Sequence, residues 1–475
     1  MKKRFMGLVL TIALLTTLVF FGCGSTGRGD GTGTSLTIGD SRQLVLSRTP
    51  SGDVTWTSSD PSVATVCEKG VVTAVGFSGN AGNRFKAGAA TGTATISASG
   101  GGIRESFVIT ATTAPIVDIL DLPPMKDQFS EYFMMGNIFV ANDARSESGI
   151  SNENLVYHYN ILTAENNMKP DQMARTRGSY NFTTADRMVN AAIASGMKVH
   201  GHCLLWHSQI PQWQKDMAGA GRDAALAAMR QYITDVAGHF RGRLHSWDVL
   251  NEVFPDGVNQ NSDWRTVMRT TGDSQAPNPW YVAIGADFVY EGFLAARRAD
   301  PTAILYYNDY NTDQLGKMTM IRDMVRDVNE RYRREHPNER RLLIEGVGLQ
   351  EHHNTGTLIP NVKRSIDMLR PLGVVVSISE LDVLGQSWSD FRSIGSGNNR
   401  DIRSTVTNRG ILEQARFYQE LMSLYLDNAD IIERVSLWGV TDSQSWRSAG
   451  LPVLFDFDDR AKPAYYGMIS ALNNR

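Results

Sequence analysis

The stretch Val374-Val375-Val376-Ser377-Ile378-Ser379-Glu380-Leu381-Asp382 decides the fold. Its apolar, β-branched run reads as a buried strand that delivers two carboxylates at its C-terminal end. Asp and Glu are rarely buried without a partner, so carboxylates on the rim of such a strand are either paired structurally or used chemically. A second stretch repeats the design: Leu244-His245-Ser246-Trp247-Asp248-Val249-Leu250-Asn251-Glu252 is again an apolar run ending in a carboxylate. Glycoside hydrolysis needs two carboxylates flanking one bond, and two strand ends can supply them. Glu252 and Glu380 are therefore expected to face each other across a sugar-binding cleft.

Outward from these two stretches, apolar strands alternate with amphipathic helices from residue 125 to the C-terminus. Eight strands are predicted near 133–139, 159–166, 198–206, 245–251, 303–309, 344–350, 374–380 and 434–440. Helices are predicted between them, for instance Asp223 to His239, Trp280 to Arg298, Gln314 to Arg333 and Leu412 to Leu426. Eight such units predict an α/β fold, a (β/α)8 TIM barrel over 125–475 whose active site sits at the C-terminal ends of the strands. The polar and aromatic clusters fall at those ends: Thr163 to Lys169, His200 to Gln209, Tyr306 to Asn311, Gly346 to His353, and Leu437 to Asp442 followed by Ser445-Trp446-Arg447. Such a ring of donors, acceptors and flat apolar faces suits a polyhydroxylated ligand, held by stacking on Trp and by hydrogen bonds.

The N-terminal quarter has another texture. Lys2-Lys3-Arg4 precede an apolar run from Phe5 to Phe21 that ends at Gly22-Cys23, the pattern of an export signal over residues 1–22. Phe20-Phe21-Gly22-Cys23 resembles a bacterial lipobox, with Phe20 in place of the usual Leu; this implies a lipid on Cys23 and an exported protein anchored to a membrane, the outer one, on its periplasmic or cell-surface face. An uncleaved membrane anchor is the other reading of the run, which falls slightly short of a full span. Residues 23–35 are Gly-rich and form a flexible tether. Residues 36–112 carry short period-2 runs separated by Gly, Pro, Asp and Ser, which predict a small β-sandwich. The runs Val54 to Val66, Gly70 to Ala74 and Gly92 to Ile96 resemble the bacterial Ig-like group 2 domain, with a longer loop at Phe77 to Ala90. Trp56 is read as its core tryptophan, and the domain as a spacer. Residues 113–124, with three prolines, read as a stiff linker.

Composition excludes some classes. The 475 residues are 42% hydrophobic and 20% charged, ordinary for a globular chain. A net charge of −3 without a dense basic run leaves no nucleic-acid footprint. Cys23, Cys67 and Cys203 lie too far apart for a disulfide framework.

With the barrel and both glutamates in place, residues 125–475 resemble glycoside hydrolase family 10, the endo-1,4-β-xylanases. Trp-His-Ser-Gln at 206–209, Trp-Asp-Val-Leu-Asn-Glu at 247–252, Glu-Leu-Asp at 380–382 and Trp-Gly-Val-Thr-Asp at 438–442 occur in order, closed by Lys462-Pro463-Ala464-Tyr465-Tyr466-Gly467. The resemblance implies retaining hydrolysis of internal xylan bonds, Glu380 as nucleophile and Glu252 as acid/base. It implies Asn251 as a ligand of the sugar hydroxyl beside the anomeric carbon, and His352 bonded to the nucleophile with Asp382 behind it. Glu165, Asn166, Lys169, His202, Trp206, Gln209, Gln350, Trp438 and Trp446 match substrate contacts. It calls for no cofactor and no metal, xylan or xylo-oligosaccharides as the partner, and a monomer. Hydrogen bonds from His352 and Asn251 are expected to hold Glu380 ionised.

Competing readings follow from the same residues. A strand-end Glu is often only an ion-pair partner. His200 and His202 share a strand face and, with His207, His352 and His353, suggest a metal-dependent hydrolase instead, though no Asp or Lys completes a ligand set. A surface protein that binds xylan without turning it over is a third reading. Trp206, Trp213 and Trp247 are alternatively core fillers, Trp247 most plainly, and Cys203 reads as a small buried hydrophobe.

Overall fold

The computed structural model describes residues 33–38, 40–61, 63–74, 90–112, 117–270, 277–394 and 406–473. The export segment, Cys23 and the loop at 77–89 lie outside the described residues. No helix among the described residues is long and apolar enough to cross a membrane.

The period-2 texture at the N-terminus folds as two small sheets. β1 (Thr34–Thr37), β2 (Ser41–Gln43), β3 (Thr55–Ser58), β4 (Ala64–Val66), β5 (Val71–Ala74), β6 (Ala90–Gly100) and β7 (Ile103–Thr112) form the orders β1-β7-β6-β3 and β2-β5-β4. Alternate residues turn inward, so Val72, Ala74, Ala94, Ile96, Ile109 and Ala111 make an apolar layer between the sheets. Trp56 packs against that layer and stacks on Phe107 with ring centroids 6.0 Å apart, a core role.

The barrel follows with all eight predicted strands: β8 (Met134–Phe139), β9 (Ile161–Ala164), β10 (Lys198–Gly201), β11 (Ser246–Asn251), β12 (Ile304–Asp309), β13 (Gly346–Leu349), β15 (Val375–Leu384) and β16 (Ile432–Leu437). Each pairs in parallel with the next, and β16 returns to β8 through Arg434↔Met134 to Leu437↔Asn137, so the sheet closes without an edge. Helices such as Arg222–His239, Leu315–Glu335 and Asn408–Asp427 cover the outside. Their buried faces follow helical spacing, as with Met318, Ile321, Met324, Val325 and Val328.

Three departures from the sequence reading matter. The helix expected from Trp280 to Arg298 is two, Pro279–Ile284 and Asp287–Ala299, because Gly285 adopts φ +78° between them. β15 does not end at its carboxylates. A short strand, β14 (His352–Asn354), pairs with its extension through His352↔Asp382 to Asn354↔Leu384, and the register against β16 shifts between Ile378 and Leu381. Glu380 lies in that irregularity, between the barrel pairing below and the added pairing above. Finally, the second half of the expected linker packs on the barrel: Ile119 and Leu122 are buried in its apolar cluster, and the Ile119 N–H donates to the Asp459 carbonyl over 2.8 Å.

Among the described residues, a side chain of the barrel joins the sandwich's apolar cluster. Leu412, on the helix Asn408–Asp427, is buried in the apolar cluster of the sandwich, not that of the barrel.

Candidate active site

Several residues at the barrel mouth hold a left-handed backbone although they are not glycine: Gln209 (φ 45°), Glu252 (φ 55°), Asn311 (φ 49°) and Glu351 (φ 59°). Such strain concentrates where function fixes a side chain against its local preference. Glu252 leaves β11 in this conformation with its backbone pinned on both sides. Its N–H donates to the Asn308 carbonyl over 2.9 Å, and its carbonyl accepts from Arg269 Nε over 2.9 Å. The carboxylate thus points into a cleft of about 1100 Å³ that it shares with Glu380.

Every oxygen of the two carboxylates has a donor. Glu252 Oε1 accepts from Gln350 Nε2 and Oε2 from Trp206 Nε1, both over 2.9 Å. Glu380 is 5% exposed; its Oε1 accepts from Asn308 Nδ2 over 2.9 Å and its Oε2 lies 3.2 Å from His352 Nε2. An amide relay joins the two. The Asn251 side-chain amide lies 3.0 Å from Asn308 Nδ2 and 3.3 Å from Gln350 Nε2, so each carboxylate is one amide away from the same asparagine. Gly348 makes room for this relay, because a Cβ there would collide with the Asn308 amide. Ser379 Oγ donates to Asn308 Oδ1 over 2.7 Å and fixes which way that amide points.

Asn308 corrects one expectation. It, and not Asn251, supplies the amide bond to Glu380. Asn251 sits behind it, and the reason is register: Asn251 pairs with Asn308 across β11 and β12, so the neighbouring strand carries its asparagine closer to β15.

His352 lies between two carboxylates. Its Nδ1 lies 2.9 Å from Asp382 Oδ2 while Nε2 faces Glu380, so a doubly protonated ring serves both carboxylates. Burial would lower its pKa, but Asp382 and Glu380 outweigh that and raise it to about 9. Asp382 is fully buried, and Arg447 and His352 hold its pKa below the usual carboxylate range against the opposing effect of burial. Trp446 Nε1 also donates to Asp382 over 3.0 Å, which sets the indole at the cleft edge with 58% of its surface exposed.

All the expected substrate contacts line this one cleft, and so do Asn251 and His352. Lys169 Nζ donates to Asn166 Oδ1 over 2.9 Å and to Gln209 Oε1 over 2.7 Å, and lies 5.0 Å from the Trp206 ring. Burial raises the Glu165 pKa, with Lys169 working against it and Glu380 adding to it. Trp206, by its bond to Glu252, belongs to the site; Trp213 and Trp247 belong to the core, with Trp247 fully buried and Trp213 Nε1 donating to the Ala174 carbonyl. Cys203 is buried too.

The five histidines do not gather at one point. His200 Nε2 and His202 Nδ1 both lie on buried Asp248 Oδ2, at 2.9 and 2.8 Å. His353 instead faces Glu351 over 2.5 Å. Among the described residues no group of three or more His, Cys, Asp or Glu side chains could hold a metal ion.

Comparison with known proteins agrees with this geometry. Residues 124–471 match the family model of glycosyl hydrolase family 10, and residues 30–101 that of the bacterial Ig-like domain (group 2). A crystal structure described as a bacterial Ig-like domain containing GH10 xylanase from termite gut is 50% identical, with a TM-score of 0.76, over 93% of this chain and 98% of that one. Endo-1,4-beta-xylanase A of Thermoanaerobacterium saccharolyticum is 32% identical over 363 residues, 74% of this chain and 28% of that protein. Endo-1,4-beta-xylanase of Geobacillus stearothermophilus is 29% identical over 360 residues, 74% of this chain and 98% of that protein. Of several curated relatives the chain thus spans about a third of the length or less. The chain belongs to glycosyl hydrolase family 10, with a bacterial Ig-like domain ahead of the barrel.

Proposed function

We propose that this protein is a retaining endo-1,4-β-xylanase in which Glu380 attacks the anomeric carbon and Glu252 protonates the departing sugar oxygen. The observation that carries this reading is the amide relay: Glu252 and Glu380 open onto one cleft and share Asn251 through Gln350 and Asn308. In the first step a bond forms between Glu380 and the anomeric carbon while the glycosidic bond breaks and its oxygen takes the Glu252 proton. In the second, Glu252 takes a proton from water, the water oxygen attacks the same carbon, and Glu380 leaves as a carboxylate. Asn308 and the His352 imidazolium bond Glu380 in its charged form, and so stabilise it both as attacking and as leaving group. Lys169, Asn166 and Gln209 on one side, and the flat faces of Trp438 and Trp446, hold the sugars.

The test is hydrolysis of xylan and of aryl xylosides, with the anomer of the fresh product read by NMR. Glu380→Ala should abolish turnover of both substrates. Glu252→Ala should lose most activity on xylan but still be glycosylated by aryl xylosides with good leaving groups, since those need no proton. Equal loss on both substrates would make the acid assignment wrong, and an inverted product would refute covalent catalysis by Glu380.

The same proposal extends to location. Cys23 carries the lipid that tethers the enzyme to a membrane, supported by the basic and apolar run before it. Cys23→Ser should release the enzyme into the soluble fraction.

A further inference from the structure

One cation on the cleft wall takes no part in the mechanism above. Beside the His352 imidazolium, three Lys and Arg side chains line the cleft: Lys169, Arg392 and Arg447. Lys169 is engaged by Asn166 and Gln209, and Arg447 by buried Asp382. Arg392 has no hydrogen bond or ion pair among the described residues. Its guanidinium lies 5.2 Å from the ring centre of Trp388 on the short helix Trp388–Ile394 that follows β15. Trp388 is itself held in place, stacked on Phe391 at 5.6 Å and covered by Arg447 at 4.9 Å. The exposed charge is therefore positioned over a fixed ring and still open to a ligand.

The charge pattern says what that ligand is. The cleft's carboxylates, Glu165, Glu380, Asp256 and Asp313, face three cations that are already engaged, Lys169, Arg447 and the His352 imidazolium. A carboxylate on the ligand would find in Arg392 the one Lys or Arg of the cleft that has no hydrogen bond or ion pair among the described residues. A neutral xylose main chain offers a guanidinium no ionic partner, whereas a carboxylate matches its planar fork. We infer that Arg392 is a specificity-determining residue that recognises a uronic-acid branch on the xylan main chain. This rests on the xylanase reading proposed above.

The test compares three substrates: glucuronoxylan, the same polymer with its carboxyls reduced to alcohols, and unbranched xylohexaose. The readout is the ratio of kcat/KM on glucuronoxylan to that on the reduced polymer. An exposed, screened ion pair sets the scale, so Arg392→Gln should lower this ratio about threefold to tenfold. Arg392→Glu should lower it further, Arg392→Lys should fall between wild type and Arg392→Gln, and high salt should shrink the wild-type preference. A ratio that neither Arg392→Gln nor Arg392→Glu moves overturns the inference. Wild-type inactivity on xylohexaose would instead overturn the xylanase reading beneath it, so the two failures are distinguishable.

Discussion

The Trp206 indole donates its N–H to the Glu252 carboxylate across 2.9 Å while its ring lies 5.0 Å from Lys169 Nζ. One side chain thus ties the residue proposed to move the proton to a residue proposed to hold the sugar. Trp206→Phe keeps a ring near Lys169 and removes the N–H. A hydrogen bond to a charged group contributes about 1.5–3 kcal/mol, so kcat/KM on xylan should fall at least about tenfold. Steady-state kinetics with an unchanged melting temperature would bear this out.

Asn308 should be as sensitive as the glutamates it joins. Asn308→Asp replaces a donor to Glu380 with a second carboxylate, and like charges at hydrogen-bond distance oppose each other. Activity is expected to fall by about a hundredfold or more, against a smaller loss for Asn308→Ala, which removes the donor without adding charge. Equal loss in the two variants would contradict the electrostatic role.

His352 gives the fold a dependence on pH. Its folded pKa of about 9 stands above the ordinary value of 6.5, so its contribution to stability is complete below about pH 6.5 and is lost as pH rises through about 9. The span amounts to a few kcal/mol, on the order of 3. Melting temperatures at pH 6 and pH 9.5 should therefore fall further in the wild type than in His352→Gln, which has no proton to lose in that window. Parallel falls in both proteins would argue against the imidazolium.

Truncation at two points should separate the linker from the barrel. Removing residues 1–116 leaves Ile119 and Leu122 seated in the barrel's apolar cluster, whereas removing 1–122 takes both away. Losing a buried Leu or Ile side chain costs about 2–5 kcal/mol, so the shorter protein should melt distinctly lower. Xylan turnover by the longer one at moderate temperature should match the full chain.

Much of this was legible in the sequence because the barrel's strands are almost wholly buried. An apolar run that meets a carboxylate marks a buried strand and the rim of the barrel, which is how Glu252 and Glu380 stood out. The role of Asn308 was not legible, since an asparagine closing Tyr306-Tyr307-Asn308 looks the same whether it meets the cleft or its neighbour; only the register of β11, β12 and β15 decides. The extension of β15 past Glu380 was hidden for a similar reason, being made by pairing with His352–Asn354 and not by its own residues. Ile119 and Leu122 lay between prolines, and the stiffness those imply masked apolar side chains with a place to go.

Leu412 turns the sandwich from a bead on a string into a lever. Because this leucine is clasped by the first domain yet belongs to a helix of the second, tension drawn through the N-terminal tether would arrive at the barrel wall next to Thr407, whose hydroxyl accepts the Gly410 N–H and starts that helix. Were the chain anchored through Cys23 as proposed, while acting on a fixed polymer, Leu412 would be where that load enters the barrel.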